Sequence, residues 1–177
     1  ERIEIIKGPA SRIFGQNAFN GAINIVTKSA YKTRKGEFSA FLNNISGGSF
    51  GNFKYSVRGN ISKDNYKGLI NYSREKSNGY RYNTDYKTDN LFLKSSLSKN
   101  NPNTIVLATL SNRKFGANGF YASPDATDQY EETQTSLIGI YSRYSSGNLI
   151  IKPKIYWRRN QDEYIYVRSD PSIYRNL

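Results

Sequence analysis

Alternation of apolar and polar side chains over runs of about a dozen residues most limits what this chain can fold into. It is cleanest in residues 52–63, where Phe53, Tyr55, Val57, Gly59 and Ile61 alternate with Lys54, Ser56, Arg58, Asn60 and Ser62. That period of two belongs to a strand with one apolar and one polar face. Residues 66–76 repeat it, with Tyr66, Gly68, Ile70 and Tyr72 against Lys67, Asn71, Ser73 and Glu75, although Leu69 sits on the polar side. In residues 87–98, Leu91, Leu93 and Leu97 oppose Asn90, Lys94, Ser96 and Ser98, and Phe92 is the exception. In residues 149–158, Leu149, Ile151, Ile155 and Trp157 oppose Lys152, Lys154, Tyr156 and Arg158, with Pro153 predicting an edge or a bulge. Strands are also expected over 36–46, 104–113 and 131–144, the last two without a clear face, and an eighth is expected to start over 164–168.

The connections carry further information. Those at 63–65, 99–103 and 145–148 are short and those at 77–86 and 115–130 are long, with a short hairpin at 47–51 on the long-loop side. Such an order describes an antiparallel up-and-down wall with two unlike rims. A hydrophobic content of 37% and a mean hydropathy of -0.71 leave little to build a large buried core. No run approaches the ~20 apolar residues of a membrane helix, but a barrel strand needs only ~9–11 with alternate residues facing lipid. The chain therefore reads as mainly β, a transmembrane β-barrel wall of about seven strands. Val57, Ile70 and Leu93 are expected to face lipid and Arg58, Asn71 and Lys94 the lumen. A soluble sandwich, its apolar faces covered by a second sheet, is the competing architecture.

The first 28 residues are organised differently. Two β-rich runs, 3–7 and 22–27, bracket a middle rich in Gly, Pro and Asn, which reads as strand, folded loop and strand. Gly8-Pro9 forces a change of direction, and Gly15 and Gly21 permit positive φ or close backbone approach. No Lys-Ser/Thr follows these glycines and no GxGxxG occurs, so a nucleotide-binding loop is excluded. Residues 1–9, Phe14-Gly15, Ala18 and the run Gly21-Ala22-Ile23-Asn24-Ile25-Val26-Thr27-Lys28 resemble the end of the plug domain of TonB-dependent outer-membrane receptors. Asn20 departs from that pattern, where a second Gly is common. The resemblance implies that residues 1–30 end a plug and residues 31–177 begin the barrel around it. Gly8, Pro9, Gly15, Gly21 and Asn24 would then shape the plug's closing motif, and Ile3, Ile5, Ile23 and Ile25 would pack its sheet. It further implies a bacterial outer-membrane location in contact with lipid and lipopolysaccharide. Active uptake of a large scarce solute, cobalamin or a ferric siderophore, would be driven by a TonB-type protein through an N-terminal segment outside this sequence.

Chemistry at a catalytic centre is not indicated. The chain has no His and no Cys, which removes the usual general base and thiolate sites, and its 14 acidic residues are scattered. The net charge of +12 admits an alternative, a soluble basic β-sheet protein binding nucleic acid or another anionic polymer. The basic residues, however, share the polar strand faces, so nucleic acid is not the expected partner. Residues 115–121 and 129–133 resemble a segment of receptors associated with cobalamin or its relatives. Asn118, Phe120 and Tyr121, mid-loop, are the candidate ligand-binding residues, since aromatic surface with a few polar groups suits a large amphipathic solute. No resident cofactor is expected; Asp85, Asp89, Asp125 and Asp128 are weak candidates for calcium, a hard cation that takes carboxylates.

Overall fold

The computed structural model describes residues 2–15, 18–27, 38–98, 103–121 and 123–177. Strand β1 (Arg2–Lys7) pairs antiparallel with β2 (Gly21–Val26), Arg2 opposite Val26 and Lys7 opposite Gly21. Between them lies one helical turn, α1 (Ser11–Phe14), too short to leave a helical period in the sequence. The loop closes on itself: the Gly8 amide donates to the Asn20 carbonyl at 3.1 Å and the Ala10 amide to the Ala18 carbonyl at 2.9 Å, with Ala10 and Ala18 buried. Gly8, Gly15 and Gly21 take φ of 91°, 98° and 155°. At Gly21 a Cβ would stand 2.5 Å from the Ile6 carbonyl oxygen, so only glycine fits where the chain re-enters the pair.

The remaining strands form one antiparallel meander. They are β3 (Phe38–Gly47), β4 (Phe53–Lys63), β5 (Tyr66–Ser77), β6 (Tyr86–Ser98), β7 (Asn103–Gly116), β8 (Tyr130–Ser146), β9 (Leu149–Ile151), β10 (Lys154–Ile165) and β11 (Arg175–Asn176). Both β9 and β10 pair with β8, so they are one strand interrupted at Lys152 and Pro153. Pro153 cannot donate to the ladder, but its carbonyl accepts from the Ser142 amide at 3.0 Å. The expected eighth strand at 164–168 is corrected. Tyr164 and Ile165 end β10, and the next strand starts at Arg175, which pairs with Ile165. Continued alternation hid that end, because a long strand and a new one look alike until a turn intervenes. The long loop expected at 115–130 is likewise trimmed to 117–129, because Phe115 and Gly116 still pair with Glu131 and Tyr130. The start of the strand expected at 36 and most of the turn expected at 99–103 lie outside the described residues.

Register makes one face apolar across the sheet. Gly59 pairs with Ile70, Ile70 with Leu93, Leu93 with Ala108, Ala108 with Ile138 and Ile138 with Trp157. Val106 and Leu110 lie on that face by alternation with Ala108, which settles the facing of β7. Val57, Ile70, Leu93 and Ile138 are 41%, 43%, 38% and 47% exposed, whereas Ser56 and Asn60 on the opposite face are buried. Ordinary burial is inverted, as it must be in a wall whose outer solvent is apolar.

Strands β1 and β2 sit on the polar face. The Lys94 ammonium donates to the Thr27 carbonyl at 3.3 Å and to its hydroxyl at 3.1 Å. Ile3, Ile25 and Val26 face Arg58, Leu69, Asn71 and Phe92 across a cleft of about 520 Å³. The two exceptions to alternation are thereby explained: Leu69, 5% exposed, and Phe92 are apolar where the inner face meets β2. Ile3 and Ile5 do pair with Ile25 and Ile23, but all four stay about two-thirds exposed and form an apolar face rather than a packed interior.

Cysteines placed singly at 57, 70 and 93 in the full-length protein should react with an apolar reagent delivered from lipid, and those at 58, 71 and 94 should not. Val57→Arg should cost ~2–4 kcal/mol of folding stability measured in lipid vesicles.

Candidate functional site

Three loops meet at the long-loop rim, residues 78–85, 117–129 and 166–174, and Asn83 ties them together. It is 8% exposed and takes a positive φ of 51°, a conformation Asn tolerates better than most residues. Its amide donates to the Thr127 and Gln129 carbonyls at 3.0 and 2.6 Å, and its Oδ1 accepts from Arg168 at 2.9 Å. The same guanidinium grips Asp85 with both nitrogens at 2.6 and 3.1 Å and covers the Tyr130 ring at 4.6 Å. Gly116 allows the approach, since a Cβ there would lie 2.4 Å from Asn83 Oδ1. Gln129, fully buried, receives the Tyr121 amide on its Oε1 at 3.3 Å and donates to the Tyr164 hydroxyl at 2.9 Å.

Asp128 forms a second fastening. Its carboxylate accepts from the Ser169 amide and hydroxyl at 2.9 and 2.6 Å and from the Tyr82 hydroxyl at 2.6 Å. These donors, Ser169 foremost, hold its pKa below the ordinary value of 3.8, and the bond to this carboxylate raises that of Tyr82. Arg168 is raised by its hydrogen bond to Asp85.

The loop of β7 and β8 opens a cleft of about 350 Å³ whose walls include Arg81, Arg113, Asn118, Phe120, Tyr121 and Glu131. The three candidate ligand-binding residues thus line one cavity. Arg113 is on the inner face, six residues along β7 from Leu107, the partner of Lys94. Arg81 is positioned by donating to the Asn118 carbonyl at 3.2 Å, and the Asn118 side chain donates to the Tyr82 carbonyl at 2.7 Å. Phe120 meets Tyr121 edge-on at 4.7 Å, Tyr121 meets Tyr164 at 5.8 Å and Tyr164 meets Tyr174 at 6.3 Å, a continuous aromatic strip. Phe120 is 73% exposed. Partial burial, followed by the Glu131 carboxylate, pushes the Tyr121 pKa up to about 12, so its phenol stays a neutral donor. Sequence reasoning missed Arg81, Asn83 and Arg168, which are far apart in the chain and carry no local motif.

The calcium candidates are dispersed. Asp85 is held by Arg168, Asp128 by Ser169 and Tyr82, and Asp89 lies on the outer face of β6 against Arg74 and Tyr72. Among the described residues no three acidic side chains gather as a cation site. Asn24 donates to Glu4 at 2.6 Å across β1 and β2, and Glu4 also accepts from Arg2, so Asn24 fastens the strand pair.

An antiparallel wall, apolar outside and polar on the inner face that carries the strand-loop-strand element, has the construction of a β-barrel wall. Comparison with known proteins agrees. No protein-family model matches the chain. It is 35% identical over 78 residues to the ferric enterobactin receptor of Pseudomonas aeruginosa, an alignment covering 36% of this chain and 10% of that protein. The crystal structure of the siderophore receptor PiuA from Acinetobacter baumannii superposes with a TM-score of 0.70 at 13% identity, over 92% of this chain and 26% of that one. The chain thus has the β-barrel wall fold of that siderophore receptor, and its sequence likeness to the ferric enterobactin receptor is confined to those 78 residues. It spans about a tenth of that curated relative and about a quarter of that solved chain.

Because the Asp128 pKa is lowered on folding, the fastening it makes is fully present at neutral pH and is lost as pH falls through its folded value, below 3.8. Hydrogen exchange in residues 117–129 should therefore be slow at pH 7 and faster in Asp128→Asn, with Asn83→Ala exposing the same segment more severely.

Proposed function

We propose that this chain supplies the end of the plug, residues 1–30, and the first part of the barrel, residues 31–177, of an outer-membrane transporter that takes up a ferric siderophore. The observation that carries it is the inward-facing cleft of the longest loop, where two guanidiniums, Arg81 and Arg113, stand beside Asn118, Phe120 and Tyr121. An iron chelate with acidic oxygens offers negative charge to the arginines and flat apolar surface to Phe120. The cations favour such a solute over a corrinoid, which lacks comparable negative charge. The receptor names found for both similar proteins support the same solute class.

In this reading the protein is a transporter and not an enzyme, and no resident cofactor is assigned. Solute binds across the loop cleft and the exposed side of the plug. A TonB-type partner, acting on a segment outside this sequence, then rearranges the plug, and the Lys94 bond to Thr27 is one of the contacts that must yield. The inner face of the wall stays rigid, because its strands are paired throughout their length. Lysines and arginines of the polar faces look into the lumen rather than toward nucleic acid.

Replacing Phe120 and Tyr121 with Ser in the full-length receptor should leave surface abundance unchanged. It should weaken ferric enterobactin binding about tenfold, roughly 1.4 kcal/mol. Arg113→Gln should act in the same direction. Unchanged affinity at normal abundance would contradict the proposal.

A further inference from the structure

The outer face does not remain apolar to the long-loop rim. Tyr72, Leu91 and Leu110 form one row across β5, β6 and β7, and two rows further toward the loops Lys76 pairs with Lys87 and Lys87 with Lys114. Three lysines therefore stand directly opposite one another on three adjacent strands. Lys76 and Lys87 are exposed, and the Lys114 side chain keeps 43% of its surface. Directly paired residues have Cβ atoms roughly 4.5–5.5 Å apart, and like charges so placed repel.

Neighbouring acids cancel this charge only in part. Lys114 is bonded to Glu132 at 2.8 Å, Lys87 reaches Asp89 only at 3.9 Å, and Asp89 is already taken by Arg74 and Tyr72. Lys76 has no ion-pair partner among the described residues. A row of repelling cations on an exposed face is stabilised when an anion sits between them, and the spacing lets two ammonium groups share the oxygens of one phosphate.

Height selects the anion. The lysine row lies four residues beyond the last apolar row, about 13 Å along the strand at ~3.3 Å per residue. With a strand tilt of about 40° that is about 10 Å above the hydrocarbon, and lysine stems can reach back toward it. This is the level of lipid headgroups on the long-loop side, on the face turned away from the lumen and from the proposed solute cleft.

We propose that Lys76, Lys87 and Lys114, with Arg74 one row below, form a binding site for the phosphorylated headgroup of an outer-leaflet lipid. The acyl chains then lie on Ile70, Leu93 and Leu110 beneath it. The inference rests on the barrel-wall reading but not on the identity of the transported solute.

The test uses the full-length receptor in detergent, with bisphosphorylated lipid A as probe, completely dephosphorylated lipid A and inorganic phosphate as comparisons, and native mass spectrometry as readout. The expected result is that lipid A binds, that dephosphorylated lipid A binds at least tenfold more weakly, and that millimolar phosphate does not displace the lipid. The Lys76→Gln, Lys87→Gln, Lys114→Gln triple variant should lose at least tenfold in lipid A affinity, while Arg159→Gln, elsewhere on the outer face, should keep it. Equal binding of both lipids, or full affinity in the triple variant, would overturn the site, and displacement by phosphate would make it a free-anion site instead. Heat-modifiable migration on gels reports barrel closure separately: its absence in the unsubstituted receptor would overturn the barrel reading, and its presence in the triple variant shows that lost affinity is not lost folding.

Discussion

Everything in this structure depends on a sheet that buries its polar side chains and exposes its apolar ones. Val57, Ile70, Leu93 and Ile138 would each lose favourable burial in water, and an aqueous fold would have to cover them with a second layer. Among the described residues no such layer exists. In a β-barrel wall the covering layer is the acyl region of a membrane, and the inner face can be polar because it borders a hydrated lumen and β1 and β2. From this single constraint follow the length of the strands, the low hydropathy of the chain and the absence of a conventional core.

The long rim solves a different problem. Long loops above a membrane have no core to hold them, and here polar bonds do so: Asn83, Gln129, Asp128 and Arg168 join three loops distant in sequence. A buried amide with every bond made is a strong organiser, because any alternative arrangement leaves buried donors or acceptors unpaired. That fastening leaves Phe120 exposed and holds Arg81 at the mouth of the cleft. Under the proposed uptake of a chelate, such fixed geometry would lower the ordering cost of taking a large solute.

Much of the fold was legible because a strand's period of two survives in sequence. The runs at 52–63 and 66–76 and the short turns between strands emerged with bounds close to those observed, and Leu69 and Phe92 stood out as anomalies. Their meaning was not legible, since it depends on β2 crossing the inner face, a contact between residues about 40 and 65 positions apart. For the same reason the eighth strand was misplaced: local alternation cannot say where pairing stops. Of the site, the aromatic pair Phe120 and Tyr121 could be found from composition of a long loop. Arg81 and Arg168 could not, because an isolated arginine in a polar loop carries no signal until the fold brings it to a partner.

The measurement that reaches the central claim most directly is the proximity of Thr27 to Lys94 in the full-length receptor within its membrane. In a Thr27→Cys variant, a short thiol-to-amine crosslinker should join position 27 to Lys94, and mass spectrometry of the digested protein should recover that linked pair. The crosslink should disappear when Lys94→Gln is added, while the barrel still forms. If the introduced thiol instead linked only to lysines outside the inner face of the wall, the strand-loop-strand element would not lie inside the barrel, and a plug held by this wall would be contradicted.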